Sequence, residues 1–247
     1  MTRIAMQMYT VRNYGTALDE RLALVREAGF SYVEMSLSDD LEDTFKLLDK
    51  HDITPVSSGF NIGSWDDKTK VEENFSFLKH YGARGSMNGF FDSEDENDWK
   101  VAAAKLEEMA QEFNRRGLVL EYHNHDHEYR RDFGSRNALD VLFDHAPSLK
   151  YQMDIGWVTV GGEDPVAMID RYRRQLSSVH VKDLTDDYKR ESGDIMPDLG
   201  DGGTPIPSAV EKAREFGITD FVVENDVPAD IRLFCNQAYK YLTGILQ

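Results

Sequence analysis

Tyr9-Thr10-Val11-Arg12-Asn13-Tyr14-Gly15 closes the first strand-like run of the chain, and it contains no G-x-G-x-x-G. Around it, short apolar runs alternate with amphipathic stretches. Strand-like segments fall at 3–11, 32–37, 55–62, 85–91, 118–125, 149–156, 177–184 and 221–226. Helical patterns lie between and after them, at 17–28, 41–50, 69–80, 98–116, 138–145, 165–175, 207–216 and 230–242. Several of these patterns stop at a glycine (Gly29, Gly82, Gly117, Gly217), as a left-handed helix C-cap favours. Eight units of roughly 31 residues fit two architectures, a closed (β/α)8 barrel or an open doubly wound sheet. The open sheet usually carries a glycine-rich turn after its first strand, and residues 9–15 lack one. No linker or composition break divides the chain. The expectation is an α/β protein in which residues 1–247 form one TIM barrel.

Composition narrows the partners. The 247 residues carry 28 Lys+Arg against 45 Asp+Glu, a formal net charge of −17. Such a chain lacks the cationic face that duplex nucleic acid or an anionic membrane surface requires. No apolar run reaches eighteen residues, and residues 1–13 lack a signal-peptide apolar region. Cys235 is the single cysteine, which excludes an internal disulfide and any multi-cysteine metal motif. A soluble, cytoplasmic, acidic protein with neither a nucleic-acid nor a membrane partner is expected.

In a barrel of this kind chemistry sits at the C-terminal strand ends. The fifth strand-like run continues as Leu120-Glu121-Tyr122-His123-Asn124-His125-Asp126-His127, placing Glu121, His123, His125 and His127 on one face. The sixth reaches Asp154, the seventh His180 followed by Lys182, and the eighth Glu224. Glu121, Asp154, His180 and Glu224 from four successive strands converge on one mouth. Three carboxylates and an imidazole would repel or stay poorly solvated there unless a cation compensates, and one divalent ion such as Mn²⁺, Mg²⁺, Co²⁺ or Zn²⁺ does so. Each residue also has an ordinary alternative. His180 alone reads as a hydrogen-bonded core residue, and Asp154 or Glu224 as a helix cap or a partner of Lys182. Of His123, His125 and His127, one is expected to contact the substrate or support the site, and at least one to be merely exposed.

With these residues the chain resembles the xylose-isomerase-like TIM-barrel superfamily, in particular its sugar phosphate isomerase/epimerase group. The similar segments run in order along nearly the whole chain: Gln7-Met8-Tyr9-Thr10-Val11-Arg12, then residues 120–126, 154–165, 179–183 and 223–226. The resemblance implies a metal held by Glu121, Asp154, His180 and Glu224. It also implies that Glu121 and Glu224 face each other across a bound sugar and pass a proton on and off the carbon beside a carbonyl, through a metal-stabilised enediolate. Glu34 lies where relatives turn a glutamate toward substrate, against the alternative of a salt bridge within the barrel. Asn61 and Asn88, at the third and fourth strand ends, are candidates to reach sugar hydroxyls.

Two features depart from the group. Trp157 stands where many relatives carry a histidine, and it either stacks on a sugar face or packs under a loop. Members with the His-Asn-His run include proteins resembling subunits that eliminate from or hydrate 3-keto-glycosides. A metal-dependent lyase or hydratase of a 3-keto-glycoside is therefore the alternative to an isomerase or epimerase, with a non-catalytic accessory barrel behind it. The related repair endonucleases use a richer ligand cluster and a basic face that this acidic chain lacks. The glycine-rich loop at 199–205 resembles a loop of the family whose amides could face a phosphate or hydroxyl. Lys182 is the one basic residue at a strand-end motif, which favours a neutral or acidic sugar over a phosphorylated one. Dimers and tetramers are common in the group, so a homo-oligomer is compatible with it.

Overall fold

In a computed structural model, which describes residues 1–37, 40–60, 63, 65–88, 91–189 and 192–247 and leaves out the side chain of Asn88, eight strands close into a parallel barrel. They are β1 (Arg3–Gln7), β2 (Tyr32–Ser36), β3 (Thr54–Phe60), β4 (Arg84–Asn88), β5 (Leu120–His123), β6 (Lys150–Asp154), β7 (Leu176–Val181) and β8 (Asp220–Val223). Each pairs with its sequence neighbours, and β8 closes on β1 with Ala5 opposite Val222. The expected (β/α)8 barrel is thereby borne out.

The outer ring is built by α1 (Leu18–Glu27), α2 (Leu41–His51), α3 (Lys68–Tyr81) and α4 (Glu96–Arg115) in the first half. The second half adds two short helices, α5 (His127–Arg130) and α7 (Ile155–Val160), and the longer α6 (Ala138–His145), α8 (Pro165–Arg171), α9 (Ile206–Glu215) and α10 (Ile231–Leu246). Neither α5 nor α7 was expected, since four and six residues are too short to show a helical period. The acidic stretches at 66–73 and 92–96 start helices, as their charge suggests. Asp67 accepts from the amides of Thr69 and Lys70, and Asp95 from that of Asn97. At Gly29, φ is +113° and an added Cβ would lie 2.5 Å from the Tyr239 ring, so glycine both ends α1 and lets α10 pack against it.

The main core lies between strands and helices, where outward residues such as Met6, Val33, Tyr122, Met153, Val179 and Phe221 are buried. The barrel interior is far more polar. Ala5, Val56 and Val222 form only a small apolar cluster there. Near it, Arg84 Nε lies 2.7 Å from Glu121 Oε1, while another of its nitrogens pairs with Asp220. Arg3 holds Asp220 from the other side, at 2.5 and 2.6 Å. The two arginines keep the Asp220 carboxyl below its ordinary range despite the opposing effect of burial.

Candidate metal and substrate site

Alternation along the last strands carries polar side chains to the C-terminal mouth. On β6, Gln152 and Asp154 share the inner face; on β7, Ser178 and His180 do, with Asp154 paired to His180 in register. Asp154 ends β6 by capping α7: its Oδ1 accepts from the amide of Trp157 at 3.0 Å. Its other oxygen, Oδ2, is buried and makes no hydrogen bond, but lies 3.3 Å from Lys182 Nζ, so the cap and the pairing with Lys182 are both present.

His123, Asp154, His180 and Glu224 each offer one ligand atom, and these atoms all lie within 4.8 Å of one another. All four residues are buried. The orientation of His123 follows from its neighbours. Gln152 Nε2 donates to Glu34 at 2.6 Å, so Gln152 Oε1 is the acceptor for His123 Nδ1 at 3.2 Å and for Ser86 Oγ at 2.7 Å. Burial, with help from His180 and Lys182, pushes the His123 imidazole down to about 4, so it is neutral near pH 7. Its Nε2 then carries a lone pair that faces Asp154 Oδ2 across 3.7 Å. Lys182 Nζ, 3.3 Å from that same Oδ2, supplies one positive charge beside it, and the four clustered donors are nitrogen and carboxylate oxygen atoms of the kind that hold a divalent ion. On this test a divalent ion fits the residues present.

His180 lies between two carboxylates. Its Nδ1 is 2.9 Å from Glu224 Oε2 and its Nε2 2.9 Å from Glu34 Oε1. Burial works against the imidazolium, but Glu34 and Glu224 outweigh it and raise His180 to about 10. Burial likewise opposes charge on Glu224, which Lys182 and His180 hold well below the usual carboxylate range. Lys182 Nζ lies 3.3 Å from Asp154, 3.1 Å from Glu224 and 3.0 Å from Asp226. These carboxylates keep it protonated despite burial. Asp226 moves the other way: burial first, then the neighbouring charges of Glu224 and Asp154, raise its carboxyl.

Glu121 departs from its expected place. Its carboxylate sits deeper in the barrel than His123, held by Arg84, by Ser177 Oγ at 2.6 Å and by Ser178 Oγ at 3.1 Å. It is absent from the cluster, and no Glu121–Glu224 pair spans the mouth. The position that joins Asp154, His180 and Glu224 is His123, the last residue of β5. Glu121 is two residues short of the mouth.

Trp157 also departs from the stacking role. It is fully buried on α7 against Val160, Leu184, Tyr188 and Met196, with Lys182 Nζ 5.0 Å from its ring centroid. It packs beneath the mouth and does not line it. The glycine-rich loop is turned inward too. Asp183 accepts from the amides of Gly200 (2.8 Å), Gly202 (3.1 Å) and Thr204 (3.1 Å), so those donors serve an internal carboxylate rather than a substrate phosphate. A Cβ on Gly202 would meet Asp183 at 2.3 Å, which requires glycine there. Asn61 and the side chain of Asn88 lie outside the described residues.

Above the cluster is a cavity of about 450 Å³ whose walls include Glu34, His123, His125, Lys182, Glu224 and Asp226. Glu34, His123, His125 and Lys182 are thus brought to the site together. Sequence reasoning missed the residues that position it. Asn124 Oδ1 accepts from the Asp154 amide at 2.9 Å and from Tyr151 Oη at 2.7 Å, tying the end of β5 to that of β6. Gln152 does the same for His123 and Glu34.

Residues 22–232 match the family pattern described as xylose isomerase-like TIM barrel. The chain belongs to the xylose isomerase-like TIM barrel family. Over 118 residues it is 25% identical to an inosose dehydratase of Clostridium beijerinckii, a stretch covering 46% of this chain and 39% of that protein. The match therefore spans well under half of that relative's length. The fold superposes on a sugar phosphate isomerase/epimerase from Parabacteroides distasonis with a TM-score of 0.78, at 17% identity and 98% coverage of both chains. It superposes on a xylose isomerase-like TIM barrel protein from Mycobacterium smegmatis in complex with magnesium with a TM-score of 0.73, at 17% identity, covering 100% of this chain and 97% of that one. At such identities these likenesses carry the fold alone. Among the described residues no helix is long and apolar enough to cross a membrane.

Proposed function

We propose that this protein is a metal-dependent isomerase or epimerase of a sugar or sugar derivative, acting by proton transfer at the carbon beside a carbonyl. The observation that carries this reading is the cluster of ligand atoms from His123, Asp154, His180 and Glu224, all within 4.8 Å of one another on four successive strand ends. His123, Asp154, His180 and Glu224 would hold one divalent ion. When bound, the ion supplies a Lewis acid beside the substrate's carbonyl and hydroxyl oxygens, lowering the cost of the charge that develops on them.

The chain's own residues supply the rest. Glu224 and Asp226 present carboxylates at the cavity wall, and the raised carboxyl of Asp226 makes it the stronger base of the two. Lys182, protonated and 3.0 Å from Asp226 Oδ1, holds that carboxylate in place, and Asp226, once it has taken the proton, returns it to the substrate. The buried Glu34 keeps His180 oriented from the opposite side. This pairing of Asp226 with Lys182 replaces the Glu121–Glu224 pair that the family resemblance implied.

The similarity to an inosose dehydratase favours a second reading, dehydration. Both reactions begin with proton loss beside a carbonyl, and a dehydratase then expels a neighbouring hydroxyl, which leaves as water with the proton that Asp226 took up. Incubation of the metal-loaded protein in D2O with a panel of ketoses, aldoses and keto-cyclitols, followed by NMR, separates them. Deuterium at the carbon beside the carbonyl with an isomeric product supports the isomerase. An unsaturated product with release of water supports the dehydratase, and no exchange with any substrate contradicts both.

A further inference from the structure

Two cations line the cavity among the described residues, Lys182 and Arg12. They differ in what balances them. Lys182 is within 3.3 Å of three carboxylates, so its charge is spent inside the protein. Arg12 forms no ion pair among the described residues. Its Nη1 donates to the carbonyl of Tyr9 and its Nη2 to that of Asp226, both at 2.8 Å. The guanidinium carbon lies 3.7 Å from the centroid of the Tyr9 ring.

Carbonyl oxygens orient a guanidinium without cancelling its charge. Of its five N–H groups two are engaged, and stacking on Tyr9 fixes the plane in which the others point. The anchoring carbonyl of Asp226 lies two residues beyond Glu224, so the fork is tied to the strand end that carries the cluster. A guanidinium at the wall of a cavity, oriented by two carbonyls and without an ion-pair partner among the described residues, matches a planar or tetrahedral anion. On a chain of net charge −17, which repels anions at long range, such a group provides local attraction where it is needed.

We infer that Arg12 is an anion-recognition point, and that the substrate carries a carboxylate or a phosphate on the part of its carbon skeleton remote from the carbonyl. Arg12 and the Tyr9 face hold that end, while the His123–Asp154–His180–Glu224 floor faces the reacting end. This assignment of substrate class rests on the sugar reading above. The anion site itself is testable without it.

Calorimetric titrations of wild type, Arg12→Gln and Arg12→Lys decide the matter. The glutamine retains a donor for one carbonyl anchor, and circular dichroism verifies that each variant is folded. Metal-free protein is titrated with inorganic phosphate and with acetate. Metal-loaded protein is titrated with D-fructose, D-fructuronate and D-fructose 6-phosphate, which separates carboxylate from phosphate as the preferred group. The expected result is simple-anion binding that falls roughly tenfold in Arg12→Gln and partly recovers in Arg12→Lys, with at least one anionic ketose preferred over D-fructose by a similar factor. Anions that bind wild type and Arg12→Gln alike, or bind neither, overturn the assignment. Anion binding through Arg12 with no ketose bound would remove the sugar reading and leave the anion site. Ketose binding indifferent to charge would do the reverse.

Discussion

Glu121 and His123 lie two residues apart on one face of β5 and belong to different layers of the barrel: the carboxylate of Glu121 is 2.7 Å from Arg84 Nε, whereas His123 Nε2 is 3.7 Å from Asp154 Oδ2. The deeper residue neutralises a buried arginine and the upper one faces the cavity. Glu121→Gln is therefore expected to leave metal content unchanged and to cost about 3 kcal/mol of stability, by leaving Arg84 with one carboxylate partner in place of two. Urea denaturation and metal analysis of the same preparation check both halves.

Asp220 provides the acid-labile part of the same network. Its folded-state carboxyl is below its ordinary value of 3.8, so the folded protein binds fewer protons there than the unfolded chain. The stabilisation it contributes is present above about pH 4 and is lost as the pH falls through the depressed folded value. Asp220→Asn should be less stable than wild type by about 3 kcal/mol at pH 7, with the gap narrowing toward pH 2. Denaturant midpoints measured across that range test this.

His180 gives the opposite sign. In the metal-free protein its imidazole is raised from 6.5 to about 10, so its stabilising contribution is full below about pH 6.5 and is lost by about pH 10. A metal ion must displace a proton from this group, so affinity for the ion should rise with pH, with close to one proton released per ion near pH 7. Calorimetry in buffers of different ionisation enthalpy counts that proton. No pH dependence between 6 and 9 would contradict the assignment of His180.

Asn124 touches none of the cluster's ligand atoms, yet it holds the Asp154 amide at 2.9 Å. Asn124→Ala should weaken metal binding by roughly 10- to 100-fold while the family fold persists. A competition titration against a chelator, with far-ultraviolet circular dichroism as the control, measures this.

The barrel was legible because its signal is repeated: eight apolar runs, helix stops at glycines, and acidic residues such as Asp67 and Asp95 that become caps. Asp154, His180 and Glu224 were legible for a related reason, each lying at or next to the end of an apolar strand. Depth along the barrel axis was not. Alternation puts Glu121 and His123 on the same face, and the stagger of β5 against β6, with Glu121 opposite Lys150 and His123 opposite Gln152, decides which of them reaches the level of Asp154. Asn124, Gln152 and Arg12 escaped notice because their roles depend on contacts across strands distant in sequence, such as Gln152 with Glu34. Trp157 was ambiguous until α7 appeared, since only a helix there carries the indole beneath the mouth.

The most direct test of the metal centre is a stoichiometric titration of chelator-stripped protein with Mn²⁺, Mg²⁺, Co²⁺ and Zn²⁺, run in parallel on wild type, His123→Ala and Glu121→Gln. One tight equivalent of at least one of these ions in wild type and in Glu121→Gln, lost in His123→Ala, is the expected result. Binding that survives His123→Ala but vanishes in Glu121→Gln, or no binding to wild type at all, would contradict the assignment of the cluster.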